Sequence, residues 1–194
     1  MREIEIKARV SDTKQTLTTL QALGIHLGKP VTQHDVVYGQ KTSSGAEFMS
    51  GGNWLRIRTE NETKVIFTFK RSVTGELDSI EHEVTVDNAK ELEAIIRNLG
   101  YSLYSDLTKI RRKAKAGDIE LCYDEVPGLG SFIELEKLCP DDVDLDKVVQ
   151  ELWDMAKQLG VSKTDKETSG YDVLMRQKEG KPVYGTELLA QTNS

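Results

Sequence analysis

Glu3-Ile4-Glu5-Ile6-Lys7 opens the chain, and Phe132-Ile133-Glu134-Leu135-Glu136 follows far downstream. Each run alternates an ionised side chain with a bulky apolar one, the period-two pattern of a strand with one ionic and one apolar face. Carboxylates two residues apart on a strand project from the same face. Two such strands side by side would gather Glu3, Glu5, Glu134 and Glu136 into one cluster. Acids crowd together at low cost only around a cation, so the chemistry implied is a metal site.

Other strand-like segments sort their charges in the same way. One near 53–59 places Arg56 and Arg58 opposite Leu55 and Ile57, and the next, near 63–71, offers Lys70 with Phe67 and Phe69 opposite. Residues 107–116 carry Lys109, Arg111 and Lys113 at two-residue steps. By contrast, 79–86 carries Glu81 and Glu83, 118–126 carries Asp124 with Glu120 at the same parity, and 131–138 carries Glu134 and Glu136. The first strand, near 3–10, carries both signs, with Lys7 and Arg9 following its two acids. A sheet whose outer face is simply wet also alternates, but it mixes its charges and favours opposite signs on neighbouring strands. Here whole strands are single-signed.

Three helices must cover the apolar faces. The first begins at Asp12, which has N-cap chemistry, carries Leu17, Leu20 and Leu23, and stops at Gly24. The second starts at Asn88, with Glu91 three residues on as in a capping box, and ends at Gly100. The third spans about Asp144 to Leu159, with Leu145, Val148, Val149, Leu152 and Ala156 on one stripe. With a further strand near 35–40, the order is strand, helix, three strands, twice over, followed by the long helix; the pattern reads as a loosely duplicated unit. Helices packed outside would turn the charges inward. Eight strands closed into a barrel enclose just enough room for side chains or one small ligand. An interior lined with charge makes sense only as a watered cavity, and acids on one wall with Arg and Lys on the other fit a polyphosphate with its divalent cations.

Bulk properties narrow the classes. One domain is the default for 194 residues, and a net charge of −6, from 26 basic and 32 acidic residues, gives no basicity that would point to nucleic acid or a membrane. No apolar run reaches spanning length, and Met1-Arg2-Glu3 runs into a strand instead of a signal peptide. Cys122 and Cys139 have no metal-like spacing and fit a reduced, cytoplasmic protein. The scattered His26, His34 and His82 read as packing or surface residues, Trp54 and Trp153 as strand and helix packing, and Cys122 as a small filler. Gly45, Gly51 and Gly52 lie in a hairpin loop without P-loop spacing. After Gly160, Tyr171, Val173, Leu174 and Met175 suggest one or two helical turns, and 178–194 reads as a polar, mobile tail.

Together these runs resemble the CYTH, or triphosphate tunnel metalloenzyme, superfamily. Glu3-Ile4-Glu5-Ile6-Lys7 fits its ExExK signature; Leu55-Arg56-Ile57-Arg58, Phe69-Lys70, Glu81-His82-Glu83, Lys109-Ile110-Arg111 and the stretch from Tyr123 to Glu136 follow in the family's order over about residues 1–175. The chain looks most like the class IV adenylyl cyclase (CyaB) subgroup. The resemblance implies an α+β fold: an eight-stranded antiparallel β-barrel, the triphosphate tunnel, forming a single domain over 1–177. It implies a metal-dependent enzyme with Mg²⁺ or Mn²⁺, two ions expected, acting on a nucleoside or other organic triphosphate or on inorganic tripolyphosphate. Glu3, Glu5, Glu134 and Glu136 would be metal ligands, with Glu81, Glu83 and Asp124 ligating or holding metal-bound waters. Lys7, Arg9, Arg56, Arg58, Lys70, Lys109, Arg111 and Lys113 would bind phosphate, and Lys7, Glu5 and Arg58 carry the catalytic assignment. Lys7 is read as a phosphate ligand ahead of a base. The characterised cyclases place a His-Phe pair shortly upstream of ExExK, and only two residues precede Glu3 here. Hydrolysis is therefore expected ahead of cyclisation of ATP to cyclic AMP and pyrophosphate. A non-catalytic polyphosphate-binding module is the further alternative, which the acid set argues against. A homodimer is compatible with the sequence, and nothing in it selects one.

Overall fold

The computed structural model describes residues 2–43, 48, 53–75, 78–140 and 142–183, with backbone alone at Arg2, 72–75 and 78–79. The loop glycines Gly45, Gly51 and Gly52 and the end of the expected tail, 184–194, lie outside the described residues. The elements run β1 (Arg2–Val10), α1 (Thr13–Ala22), β2 (Val31–Gln40), β3 (Asn53–Glu60), β4 (Lys64–Gly75), β5 (Asp78–Val86), α2 (Ala89–Asn98), β6 (Tyr101–Ala116), β7 (Ile119–Val126), β8 (Gly130–Cys139), α3 (Leu145–Gln158) and α4 (Tyr171–Lys178). The eight strands form one sheet in the order β1-β8-β7-β6-β2-β3-β4-β5, antiparallel at every described register. No helix among the described residues is long and apolar enough to cross a membrane.

The expected caps are in place. Asp12 accepts from the Gln15 N–H at 2.9 Å, Asn88 from Glu91 at 3.0 Å and Asp144 from Lys147 at 3.3 Å, each satisfying an orphan donor of the first turn. Gly100, at φ 87°, takes the left-handed conformation that ends α2 and lets the chain enter β6 at once. That start is six residues before the one the charge pattern gave.

Two compact units share the chain. The first comprises 1–31, 75–78 and 109–168. In it Ile4, Ile6, Ala8 and Val10 of β1, Leu121 and Tyr123 of β7, and Ile133 and Leu135 of β8 pack against Leu20 of α1 and Val148, Leu152, Trp153 and Ala156 of α3. Each large apolar side chain fully withdrawn from water contributes roughly 1.5–3 kcal/mol. Because this parity is spent on the helices, the alternate residues of the same strands must face the other way. Beyond α3, a 3-10 turn at Lys163–Asp165 leads into a segment that lies along the edge of β1. There Lys166 bridges Ala8, and the Glu167 N–H donates to the Lys7 carbonyl at 2.9 Å.

The second unit comprises 32–74, 79–108 and 169–194. Tyr38, Leu55 and Ile57, with Phe67 and Phe69, pack beneath Leu92 and Ile96 of α2. Its opposite parity holds an aromatic group in which Tyr104 meets Phe48 at 4.9 Å and Trp54 at 4.7 Å between ring centroids. Gly39 has no Cβ because the Trp54 and Phe48 rings occupy that space. Arg176 of α4 stacks 4.4 Å from the Tyr104 ring and donates to the Tyr104 carbonyl at 2.6 Å, fastening the last helix to β6. α4 forms the two expected turns and buries Tyr171, Val173 and Leu174.

Candidate functional site

In the first unit, register lines up the ionic residues in rows across four strands. Glu5, Glu136, Glu120 and Lys115 form one row, and Lys7, Glu134, Cys122 and Lys113 the next. Arg9, Phe132, Asp124 and Arg111 form the third. Glu3 faces Leu138 and Lys7 faces Glu134, so the four acids of the terminal runs are staggered instead of squared: only Glu5 and Glu136 stand directly opposite. Lys7, Lys109, Arg111, Asp124 and Glu134 are each 7 % exposed or less. Charges so withdrawn from water rule out a merely wet outer face, since isolated burial of even one would cost several kcal/mol.

Pairing accounts for their tolerance. Arg111 meets Asp124 as a fork, Nε donating to Oδ1 at 2.7 Å and Nη2 to Oδ2 at 2.5 Å. Lys109 Nζ donates to the same Oδ2 at 3.2 Å, and Arg111 Nη2 also donates to Glu134. Lys7 Nζ lies 3.8 Å from Glu134 Oε1. Burial works against the Arg111 charge, but Glu134 and Asp124 outweigh it and raise its pKa further. Asp124, expected among the metal ligands, thus has both oxygens engaged by cations.

A separate donor group lies among the acids of β7 and β8. Glu120, Cys122 and Glu136 each present a ligand atom within 4.8 Å of the others. Burial, then the charges of Glu134 and, more weakly, Glu3, push the Glu136 carboxyl up to about 7, with Arg111 and Lys113 opposing. Burial likewise raises the Cys122 thiol well above its usual range, so it sits as a neutral group. Cys122, expected as a small filler, is buried there as the third member of the group. Arg9 and Lys113, also expected as phosphate ligands, pair nearer the surface. Arg9 meets Glu167 at 2.8 Å and stacks 4.9 Å from Phe132, because the segment along β1 brings Glu167 beside it. Lys113 pairs with Glu120 and is half exposed.

The second unit carries its own ionic face. Arg58 forks onto Asp35, its cross-strand partner, at 2.7 Å through both Nε and Nη2. Arg56 Nη2 donates to Thr68 and to Glu83, each at 3.2 Å, and Thr68 donates to the same Glu83 oxygen at 2.8 Å. Lys70 pairs with Glu81 at 2.9 Å. Every acid and base expected on β3, β4 and β5 therefore meets an opposite charge. Asp35 was missed because it stands alone in β2, with Gln33 and Val37 at its parity. His82, expected to pack, has its ring 6.2 Å from Phe69.

The CYTH domain profile matches residues 1–171. The chain belongs to the CYTH family. Two relatives agree. A Methanocaldococcus jannaschii protein provisionally named an adenylate cyclase is 32 % identical over 165 residues, covering 84 % of this chain and 92 % of its own. The adenylate cyclase CyaB of Aeromonas hydrophila is 29 % identical over 177 residues, covering 90 % and 89 %. A solved Hippeastrum structure, of a protein described as a candidate adenylyl cyclase with a dominant triphosphatase activity, shares the fold at a TM-score of 0.59. It is 19 % identical, over 94 % of this chain and 98 % of that one. The eight-stranded antiparallel sheet with its buried charges and four helices is thus the CYTH fold.

The donor chemistry of this CYTH protein fits a divalent cation. Carboxylate oxygens suit Mg²⁺ or Mn²⁺, and like-charged acids held together gain most from one. A stability prediction follows from Glu136. Its folded pKa, about 7, lies above the ordinary 4.5, so its favourable contribution is complete below about 4.5 and is lost as pH rises through 7. A bound cation reverses that loss by stabilising the ionised form. Mg²⁺ or Mn²⁺ should therefore raise Tm more at about pH 8 than at about pH 5.5, in differential scanning fluorimetry at matched ionic strength. Equal shifts at both pH values would exclude Glu136 from the cation site.

Proposed function

We propose that this chain is a divalent-metal-dependent enzyme that hydrolyses the triphosphate of a nucleotide or other organic triphosphate. The observation that carries the reading is the burial of Lys7, Lys109 and Arg111 on the same sheet face as the Glu120–Cys122–Glu136 donor group. An anion binder needs the cations alone; a metal-dependent phosphoryl enzyme needs both. In this reading Glu3, Glu5, Glu81, Glu83, Glu134 and Glu136 serve the cations. Lys7, Arg56, Arg58, Lys70, Lys109 and Arg111 bind phosphate, with Arg9 and Lys113 at the margins.

The cation supplies charge neutralisation and Lewis acidity. The rest falls to the chain. Phosphoryl transfer asks mainly for positioning and stabilisation of charge spread over phosphate oxygens. Arg111 offers a planar fork already aligned by Asp124, and Lys109 and Lys7 add point charges whose burial strengthens their field. Lys7 binds a phosphate oxygen and orients the terminal group for in-line attack by water.

The dominant triphosphatase activity described for the Hippeastrum relative supports hydrolysis. A second reading, cyclisation of ATP to cyclic AMP and pyrophosphate, is favoured by the names of the two sequence relatives. One experiment separates them: incubation with ATP, thiamine triphosphate and tripolyphosphate in Mg²⁺ and in Mn²⁺, with products resolved by chromatography. Orthophosphate plus the corresponding diphosphate is the expected result. Cyclic AMP with pyrophosphate would install the second reading, and no turnover of any of the three would defeat both.

A further inference from the structure

We propose that Asp124 is a positioning residue: its buried carboxylate holds Arg111 and Lys109 where the phosphate chain would lie, and it ligates no metal. The proposal rests on the phosphate-binding reading above. Asp124 is 0 % exposed, and register sets it directly opposite Arg111 on β6, with Lys109 one step along the same face. Oδ1 accepts from Arg111 Nε and Oδ2 from both Arg111 Nη2 and Lys109 Nζ. A metal ligand must offer a lone pair toward an open position; here three donors take three of the carboxylate's lone-pair sites, and the side chain has no exposed surface from which a cation could reach the remaining one on Oδ1.

Charge points the same way. Lys109 and Arg111 outnumber the Asp124 carboxylate by one positive charge, and counting Glu134 and Lys7, which adjoin them, leaves that excess unchanged, so the cluster attracts an anion and repels a cation. The acids whose ligand atoms converge stand on the other two rows, in the Glu120–Cys122–Glu136 group, which does not include Asp124. Held by Asp124, the Arg111 fork cannot swing, and its Nη1, 4.0 Å from Glu136, is aimed along the acid rows. Arg111 would thus offer its outer nitrogen to a phosphate oxygen, while the Glu120–Cys122–Glu136 group would hold the cation.

The test uses the full chain, Mn²⁺ alone as the metal probe and inorganic tripolyphosphate as the anion. For Asp124→Asn, Mn²⁺ affinity read by the electron-spin signal of free Mn²⁺ should be unchanged. The tripolyphosphate KM should rise about tenfold or more, with kcat falling less. Simple structural damage would reduce the active fraction, and with it kcat, without moving KM. Should Asp124→Asn fail to fold, Lys109→Met/Asp124→Asn restores the +1 balance. It is then compared with Lys109→Met, the expected result being equal Mn²⁺ affinity and a higher KM in the double variant. A Mn²⁺ affinity about tenfold weaker in either comparison overturns the proposal, as does an unchanged KM or a double variant that still cannot fold. A wild-type chain that neither binds nor turns over tripolyphosphate sinks the functional reading instead, and the Mn²⁺ comparison then decides Asp124 by itself.

Discussion

Glu136→Gln should reduce metal-dependent kcat/KM by about a hundredfold or more and abolish the Mn²⁺-induced rise in Tm. Glutamine keeps the volume and one acceptor oxygen, so β8 can pair with β1 and β7 as before. What disappears is the negative charge that stands between Glu5 and Glu120 in its row, within 4.8 Å of the Glu120 and Cys122 ligand atoms. The sign of the accompanying stability change makes the test sharp. Burial and the neighbouring Glu134 charge make an ionised Glu136 unfavourable without a cation, which is why its pKa is held near 7. A neutral amide escapes that cost. The metal-free variant should therefore be more stable than the natural chain above about pH 7, and the two should converge as pH falls below it. Lost activity joined to raised apo stability is the signature of a cation ligand. A variant that is less stable at every pH would mean that Glu136 is structural.

How far the sequence foretold this site depends on whether each residue left a charge signal at the right spacing. Helix limits were readable to within a residue or so, because Asp12, Asn88 and Asp144 have cap chemistry and Gly100 supplies a left-handed stop. The ionic parity of β1, β3 and β8 was readable because two or more charges repeat at steps of two. The first half of β6 was not, since Tyr104 and Ser105 are both buried, and two adjacent buried residues break the alternation on which a strand is recognised. Asp35 fell outside for a different reason. It matters only through a cross-strand neighbour, Arg58, and register is set by turn geometry and tertiary packing that no single strand displays. The pairing of Arg9 with Glu167 was equally hidden, because the two lie far apart in sequence.

Asp35→Ala tests the residue the sequence hid best. Arg58 is only 12 % exposed and forks onto Asp35 through two 2.7 Å hydrogen bonds. Removing one partner of a buried pair strips two hydrogen bonds and an opposite charge from the other and costs about 3–5 kcal/mol, far more than the intact pair contributes over apolar replacements. A loss of that size should appear in urea denaturation as a lower midpoint with an unchanged slope. Most of it should return in Asp35→Ala/Arg58→Ala, because the charge left behind is then gone, and the difference between the single and double variants measures the coupling directly. Arg58 also carries a phosphate-binding assignment, which adds a second arm. Freed from Asp35, its guanidinium has more to gain from an incoming anion, so tripolyphosphate should raise the Tm of Asp35→Ala more than that of the natural chain. If the single variant loses less than about 1 kcal/mol, Arg58 is reaching water or another acid, and the buried pair is not what holds it. If the stability loss is full but tripolyphosphate shifts both proteins equally, Asp35–Arg58 is a structural strut and Arg58 drops out of the phosphate site.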